Sequence, residues 1–202
     1  KAGAGTTLTM SGSLTNFSAG TLTGGTYNVL GTMRLPTTSA IVTNAATIIL
    51  DGAGANLYNA TSGTTDALAG FATNAAAGSF TIQNGRNFTR SSAFENNGAA
   101  TIGTGSTLTL NASSGGDGHD GSFSGTGTLS LAGAHTFNST SDVTVSNVVV
   151  TSGTTMMNGT YNLTGSSTTL SGGNLTFNAA ATVNNLGALS ISAGTLTLSS
   201  GE

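Results

Sequence analysis

Ser79-Phe80-Thr81-Ile82, Asn87-Phe88-Thr89, Ala93-Phe94-Glu95, Ala100-Thr101-Ile102 and Thr107-Leu108-Thr109-Leu110 succeed one another within residues 79–110. In each word an apolar residue alternates with a polar or small one. That is the period of two expected of a half-buried strand. Gly, Asn and Ser separate the words, and they are the residues that suit corners. The words return about every six to eight residues, so three of them make a turn of roughly 20 residues. This spacing predicts an all-β chain wound as a right-handed parallel β-helix, a β-solenoid with about three short strands per coil.

Outward from this stretch the same words recur. Thr7-Leu8-Thr9-Met10, Thr21-Leu22-Thr23, Thr128-Leu129-Ser130-Leu131, Asp142-Val143-Thr144-Val145, Asn174-Leu175-Thr176-Phe177 and Thr195-Leu196-Thr197-Leu198 are the clearest. Gly25-Thr26-Tyr27-Asn28-Val29-Leu30-Gly31 is echoed by Gly159-Thr160-Tyr161-Asn162-Leu163-Thr164-Gly165, which suggests duplicated coils. The 202 residues then form a single solenoid domain, 1–202. It has on the order of nine or ten coils and, at ~4.8 Å per coil, is a rod about 45 Å long.

Two segments break the rhythm. Residues 53–78 are Ala-rich, and Thr64-Thr65-Asp66-Ala67-Leu68 offers an N-cap; a loop or one short helix near 60–75 is expected there. Residues 113–121, Ser-Ser-Gly-Gly-Asp-Gly-His-Asp-Gly, read as a flexible loop. Pro36 is expected to end a strand at a corner. Asn84, Asn97, Asn158, Asn184 and Asn185 stand near corners, where they either form ladders or simply tolerate turns; the turn reading is preferred.

Composition excludes several functions. Only Lys1, Arg34, Arg86 and Arg90 are basic, and the net charge is −3, so phosphate backbones find no partner surface and nucleic-acid binding is not expected. There is no Cys, hence no disulfide framework and no thiolate metal site. No apolar run reaches the ~18 residues of a membrane helix. Charged residues make up 5%, far below the roughly 25% of ordinary domains. A Cys-free chain rich in Thr, Ser, Asn and Gly suits the outside of a bacterial cell. Its start at Lys1 without Met reads as a mature product or a piece of a longer chain.

Taken together, Ile48-Ile49-Leu50-Asp51-Gly52, Gly78-Ser79-Phe80-Thr81-Ile82-Gln83-Asn84-Gly85-Arg86 and Ala181-Thr182-Val183-Asn184-Asn185-Leu186-Gly187 resemble the passenger regions of exported bacterial β-strand-repeat surface proteins. These include autotransporter and filamentous-haemagglutinin-type adhesins. The resemblance covers essentially the whole chain. It implies a right-handed parallel β-helix at or beyond the cell surface that serves as stalk, fibre or adhesin. It brings no catalytic residues.

Candidate chemistry is sparse. Asp117 and Asp120 flank His119 and are the weak candidates for a cation, but the ligand count of a calcium loop is missing; a solvated Gly-rich loop is preferred. His135, in Ala134-His135-Thr136-Phe137, reads as a surface imidazole at a strand edge. Gly121-Ser122-Phe123-Ser124-Gly125 fits a nucleophile elbow only loosely. Neither a catalytic set nor a cofactor is expected. Thr-x-Thr pairs at Thr7/Thr9, Thr21/Thr23, Thr107/Thr109 and Thr195/Thr197 raise ice binding as a minor alternative. A carbohydrate-binding or carbohydrate-cleaving β-helix is the main one.

The ends carry the sharpest expectation. Thr7, Leu8, Thr9 and Met10 at one end, and Thr195, Leu196, Thr197 and Leu198 at the other, are uncapped strand words. Each is an edge for strand addition. The partner is then a second copy, stacked head to tail into an extracellular fibre, or the rest of a longer parent chain. Surface glycans or other cells are the further partners considered.

Overall fold

The computed structural model of the chain describes residues 1–60, 62–112, 116–165 and 167–199. It is an all-β solenoid of about nine turns with about three strands per coil and no helix among the described residues. The early strands are β1 (Thr7–Thr9), β2 (Phe17–Ser18), β3 (Thr21–Val29), β4 (Thr32–Leu35), β5 (Thr43–Asp51), β6 (Asn56–Asn59) and β7 (Thr73–Asn74). The middle holds β8 (Ser79–Gln83), β9 (Phe88–Arg90), β10 (Glu95–Asn96), β11 (Ala99–Ile102), β12 (Thr107–Asn111), β13 (Asp117–His119) and β14 (Ser122–Ala132). The last are β15 (Ala134–Phe137), β16 (Asp142–Val150), β17 (Thr154–Met157), β18 (Thr160–Asn162), β19 (Ser167–Phe177), β20 (Thr182–Asn185) and β21 (Ala188–Leu198). The word spacing of residues 79–110 thus appears as β8 to β12.

Every strand but β2, which turns back antiparallel on β3, pairs in parallel with an equivalent strand one coil away, and the coils have three walls. Starting from β3, the first wall runs through Thr21–Thr23, Thr43–Ala45, β7, β10, β13, β15, β17 and the second halves of β19 and β21. The second wall carries β8, β11, β18 and β20, and the third carries β4, β6, β9 and β12. Alternation within a strand sends one residue inward and the next outward, so inward residues stack as files along the rod. On the second wall the file reads Tyr27, Ile48, Phe80, Ala100, Phe123, Val143, Tyr161. All seven are buried. The two echoed Tyr words of the sequence therefore occupy equivalent places. Burying one large apolar side chain contributes about 1.5–3 kcal/mol, and the files together form one continuous core.

Corners are made by small residues. β4 ends at Leu35, directly before Pro36. Between the first and second walls, Gly78, Gly98 and Gly121 stack on one another, and a Cβ on Gly121 would collide with the Gly98 carbonyl oxygen. Asn84 takes φ 55° at its corner, as the turn reading predicts, and its amide donates to Asp51 Oδ1.

The segment expected as a loop or helix is a loop, and it is narrower than 53–78 because β6 and β7 lie inside that range. Asp66 Oδ1 accepts from the Leu68 amide in an Asx turn rather than starting a helix. The loop does not simply bulge outward. Ala67 and Thr65 pair antiparallel with β6, on the side away from β4. This wedge separates the three-stranded sheet β1-β4-β6 from the eighteen-stranded remainder. Phe71 fills the core beside it, at 5.0 Å from Phe80, 6.1 Å from Phe88 and 5.1 Å from Phe94, all edge-to-face. The insertion lengthens the coil that contains it, to 30 residues between Asn44 and Asn74, against 22 between Asn74 and Asn96.

Candidate functional site

Two places concentrate unusual chemistry: the ends of the rod, and one polar knot inside it. The ends differ. At the end built by residues 1–20, Ala2 bridges to Val29, β1 pairs with β4, and β2 turns back antiparallel onto β3. Met10, Leu14 and Phe17 lie half-buried against the core, so the inner files are covered. An open groove there, lined by Leu14, Phe17, Pro36 and Thr37 among others, has no titratable residue. Of the expected edge, Thr7, Leu8 and Thr9 are exposed on β1 while Met10 packs inward.

The coil that ends on β21 is bare. Leu189, Ile191 and Leu198 continue the inner files of Thr168, Leu170 and Phe177, yet they are 47%, 48% and 55% exposed. On β21 itself Leu196 is partly covered, and Val183 and Leu186 before it also pack partly against the core. The outer edge of β21 pairs with no strand among the described residues. Thr195–Leu198, expected as an edge for strand addition, lies on β21, together with the third-wall residues Leu189 and Ile191. Sequence reasoning missed these two because Ala-Leu-Ser-Ile reads like any interior word. Their burial depends on a neighbour, not on their own pattern.

The four Thr-x-Thr pairs do not share a face. Thr21/Thr23 and Thr195/Thr197 lie on the first wall, and Thr7/Thr9 and Thr107/Thr109 on the third.

The polar knot corrects two expectations. Within residues 113–121, positions 113–115 lie outside the described residues, but Asp117–His119 is a strand with Asp117 and His119 buried. His135, expected at the surface, is 1% exposed. The alternation of β13 turns Asp117 and His119 inward and leaves Asp120 outside, where its Oδ1 accepts from Asn138 and Thr140. Asp117 and Asp120 are thus not brought together. Among the described residues no group of three His, Cys, Asp or Glu is placed to hold a metal ion.

The knot ends a ladder. On the first wall the inner file reads Leu22, Asn44, Asn74, Asn96, His119, and then Phe137, Met157, Phe177, Leu198. Asn44 Nδ2 donates to Asn74 Oδ1 at 2.9 Å, and Asn74 Nδ2 to Asn96 Oδ1 at 2.7 Å. Spare amide protons reach Ser79, Ala99 and Ser122 carbonyls. The ladder is therefore inside strands, not at the corner asparagines. One corner pair, Asn178 Nδ2 to Asn158 Oδ1, also bonds at 2.8 Å.

At the ladder's end the Asn96 amide N–H donates to His119 Nδ1 at 3.2 Å. That bond fixes the tautomer: His119 carries its proton on Nε2, which faces His135 Nδ1 at 3.2 Å. His135 in turn donates from Nε2 to the Ala132 carbonyl at 3.0 Å. A metal on His119 Nε2 would leave Nδ1 accepting, whereas a metal-bound histidine normally donates from its other nitrogen. The knot is built for neutral imidazoles, not for a cation.

Electrostatics agree with this arrangement. Burial, with His135 beside it, pushes His119 down to about 3. Burial also lowers His135, against the Ala132 and Leu110 carbonyls and Asp117. Asp117 Oδ2 stands 4.0 Å from His135 Nδ1. Neither Asp117 oxygen has a hydrogen-bond partner among the described residues. Burial raises its carboxyl; the nearby Phe94 amide and the charges of His135 and Arg90 oppose the rise, and Glu95 adds to it.

No helix among the described residues is long and apolar enough to cross a membrane. No family model matches the chain, and neither a curated protein nor a solved structure matches it.

Proposed function

We propose that this chain is a structural or adhesive rod of the bacterial cell surface that extends end to end by strand addition, with another copy as partner. The observation that carries the reading is the bare coil at β21, where three apolar members of the inner files lie exposed. Such an edge offers backbone N–H and C=O groups and an apolar floor to an added strand. The opposite end offers a match. Leu8 stands in the third-wall file of Met33 and Leu57, and Met10 follows two residues later. Leu189 and Ile191 have the same wall and the same spacing. Stacked in phase, β1 of one copy meets the first half of β21 of the next, in the parallel pairing the rod uses internally. Neither β1 nor β21 contains a charged residue, so no repulsion opposes the contact. A heterologous contact of this kind does not close and builds a filament.

Negative-stain microscopy at physiological salt tests the reading. Fibres are expected from the native chain, and Ile191→Lys or Leu8→Lys should leave single rods. Strict monomers at every concentration would overturn stacking by a second copy and leave the rest of a longer parent chain as the occupant. A melting shift produced by glycans in such monomers would favour the carbohydrate-binding alternative. Antibody labelling of intact source cells checks the surface location.

A further inference from the structure

The Asp117–His119–His135 knot has no part in end-to-end stacking, yet it is the place where buried titratable groups meet. We propose that this knot is an acid-sensitive joint: when pH falls, the coils that meet at β13 and β15 loosen first, while coils on either side keep their pairing.

The argument is geometric. The chain of bonds has a direction, from the Asn96 amide to His119 Nδ1, from His119 Nε2 to His135 Nδ1, and from His135 Nε2 to the Ala132 carbonyl. Every ring nitrogen is used once, and both rings are neutral. A proton added to His135 must go to Nδ1, where it meets the Nε2 proton of His119 head on. His119 cannot yield by changing tautomer, because its Nδ1 is held by the Asn96 amide. One bond of the chain must break. The group placed to take the new His135 proton is Asp117, whose Oδ2 is 4.0 Å away and unpartnered among the described residues. At that distance no hydrogen bond forms unless β13 shifts against β15, so protonation breaks the link through His119 before Asp117 can replace it.

The surroundings give no other outlet. His119 packs against the rings of Phe123 at 5.3 Å and Phe137 at 4.8 Å, which carry no charge. Around Asp117 the charged groups are His135, Glu95 and Arg90. Arg90 is tied to the Ala69 carbonyl at 2.6 Å. Asp120 is outside the wall and bound to Asn138 and Thr140.

The direction follows from linkage. Both histidines sit below their ordinary value in the folded rod, so their contribution is intact above about pH 6.5, the unfolded value. It is lost as pH falls from there toward the folded value of His119, about 3. Asp117 is raised and acts oppositely, so ionised Asp117 costs stability at neutral pH and its protonation offsets part of the histidine loss.

The test is the melting temperature of the native chain from pH 7.5 to 4.5, beside His119→Asn/His135→Gln. The Asn extends the existing ladder, and the Gln keeps a donor for Ala132. A loss of roughly 5–10 °C is expected for the native chain, and less than half of it for the variant. Equal losses would overturn the proposal. Imidazole NMR on the native chain keeps it falsifiable should the variant not fold. Neither ring should titrate near pH 6.5, and amide exchange below pH 5 should quicken first in β13 and β15. A ring titrating at 6.5 in the folded chain, or uniform exchange along the rod, would also overturn it.

Discussion

The same inner file of the first wall is filled in two ways. Between Leu22, at its start, and the knot it is Asn44, Asn74 and Asn96; after the knot, Phe137, Met157 and Phe177. Backbone pairing is parallel on both sides. The polar half holds by bonds that each need a partner in the next coil. The apolar half holds by contact, which needs only shape. A solenoid tolerates either filling because stacking presents each inward residue with its counterpart one coil away. An amide meets an amide, and a ring meets another apolar group. The transition between the two regimes gathers the paired imidazoles of His119 and His135 and, among the described residues, the unpartnered polar atoms of Asp117 and Thr155.

The largest effect should come from emptying the apolar half. Phe137→Ala removes a ring that packs on Phe123 at 5.5 Å and on His119, and should cost about 3–5 kcal/mol in denaturant unfolding. In the polar half, Asn74→Leu matches the apolar filling but strands Asn44 and Asn96, whose amides face it. With buried groups left unpaired at about 1–3 kcal/mol each, the loss should be about 2–4 kcal/mol. If Asn74→Leu proved neutral, the ladder would be mere filling and the contrast would fail.

Smaller changes sharpen the junction. Thr155 stands opposite His135, one coil on, and its Oγ1 has no partner among the described residues. Thr155→Val keeps the shape and removes the orphaned hydroxyl, so it should stabilise the rod by about 1–2 kcal/mol. Asp117→Asn should raise the melting temperature at pH 7–8, because burial raises the native carboxyl and that costs stability above the unfolded value, with the gain fading toward pH 4. A constant gain across that range would show that charge is not its source. Met156→Thr, on the exposed side of β17, should stay within about 0.5 kcal/mol.

Much of the fold is legible from residue order, and the reason is local. Words such as Thr107-Leu108-Thr109-Leu110 choose strand over helix by period alone, and Pro36 and Asn84 mark corners through φ. The wedge was only half legible. The Ala-rich break signalled a loop or short helix capped near Asp66, but that Thr65 and Ala67 pair with β6 while Phe71 plugs the core depends on contacts between distant coils. The polar knot was misread because Gly115-Gly116-Asp117-Gly118-His119-Asp120-Gly121 has the composition of a loop. The parallel ladder to β15, with Asp117 opposite His135 and His119 opposite Phe137, overrides that composition.

Residue order alone therefore specifies an all-β stacked rod, its coil length, its corners, and its scarcity of charged residues. These follow from periodicity and charge count, which are properties of the string. Which asparagines form the ladder, which histidines are dry, and which apolar residues stand uncovered at β21 are settled by the register of one coil on the next. Register is a relation between residues some 20 positions apart, and burial of a given side chain is set by that neighbour rather than by its own word.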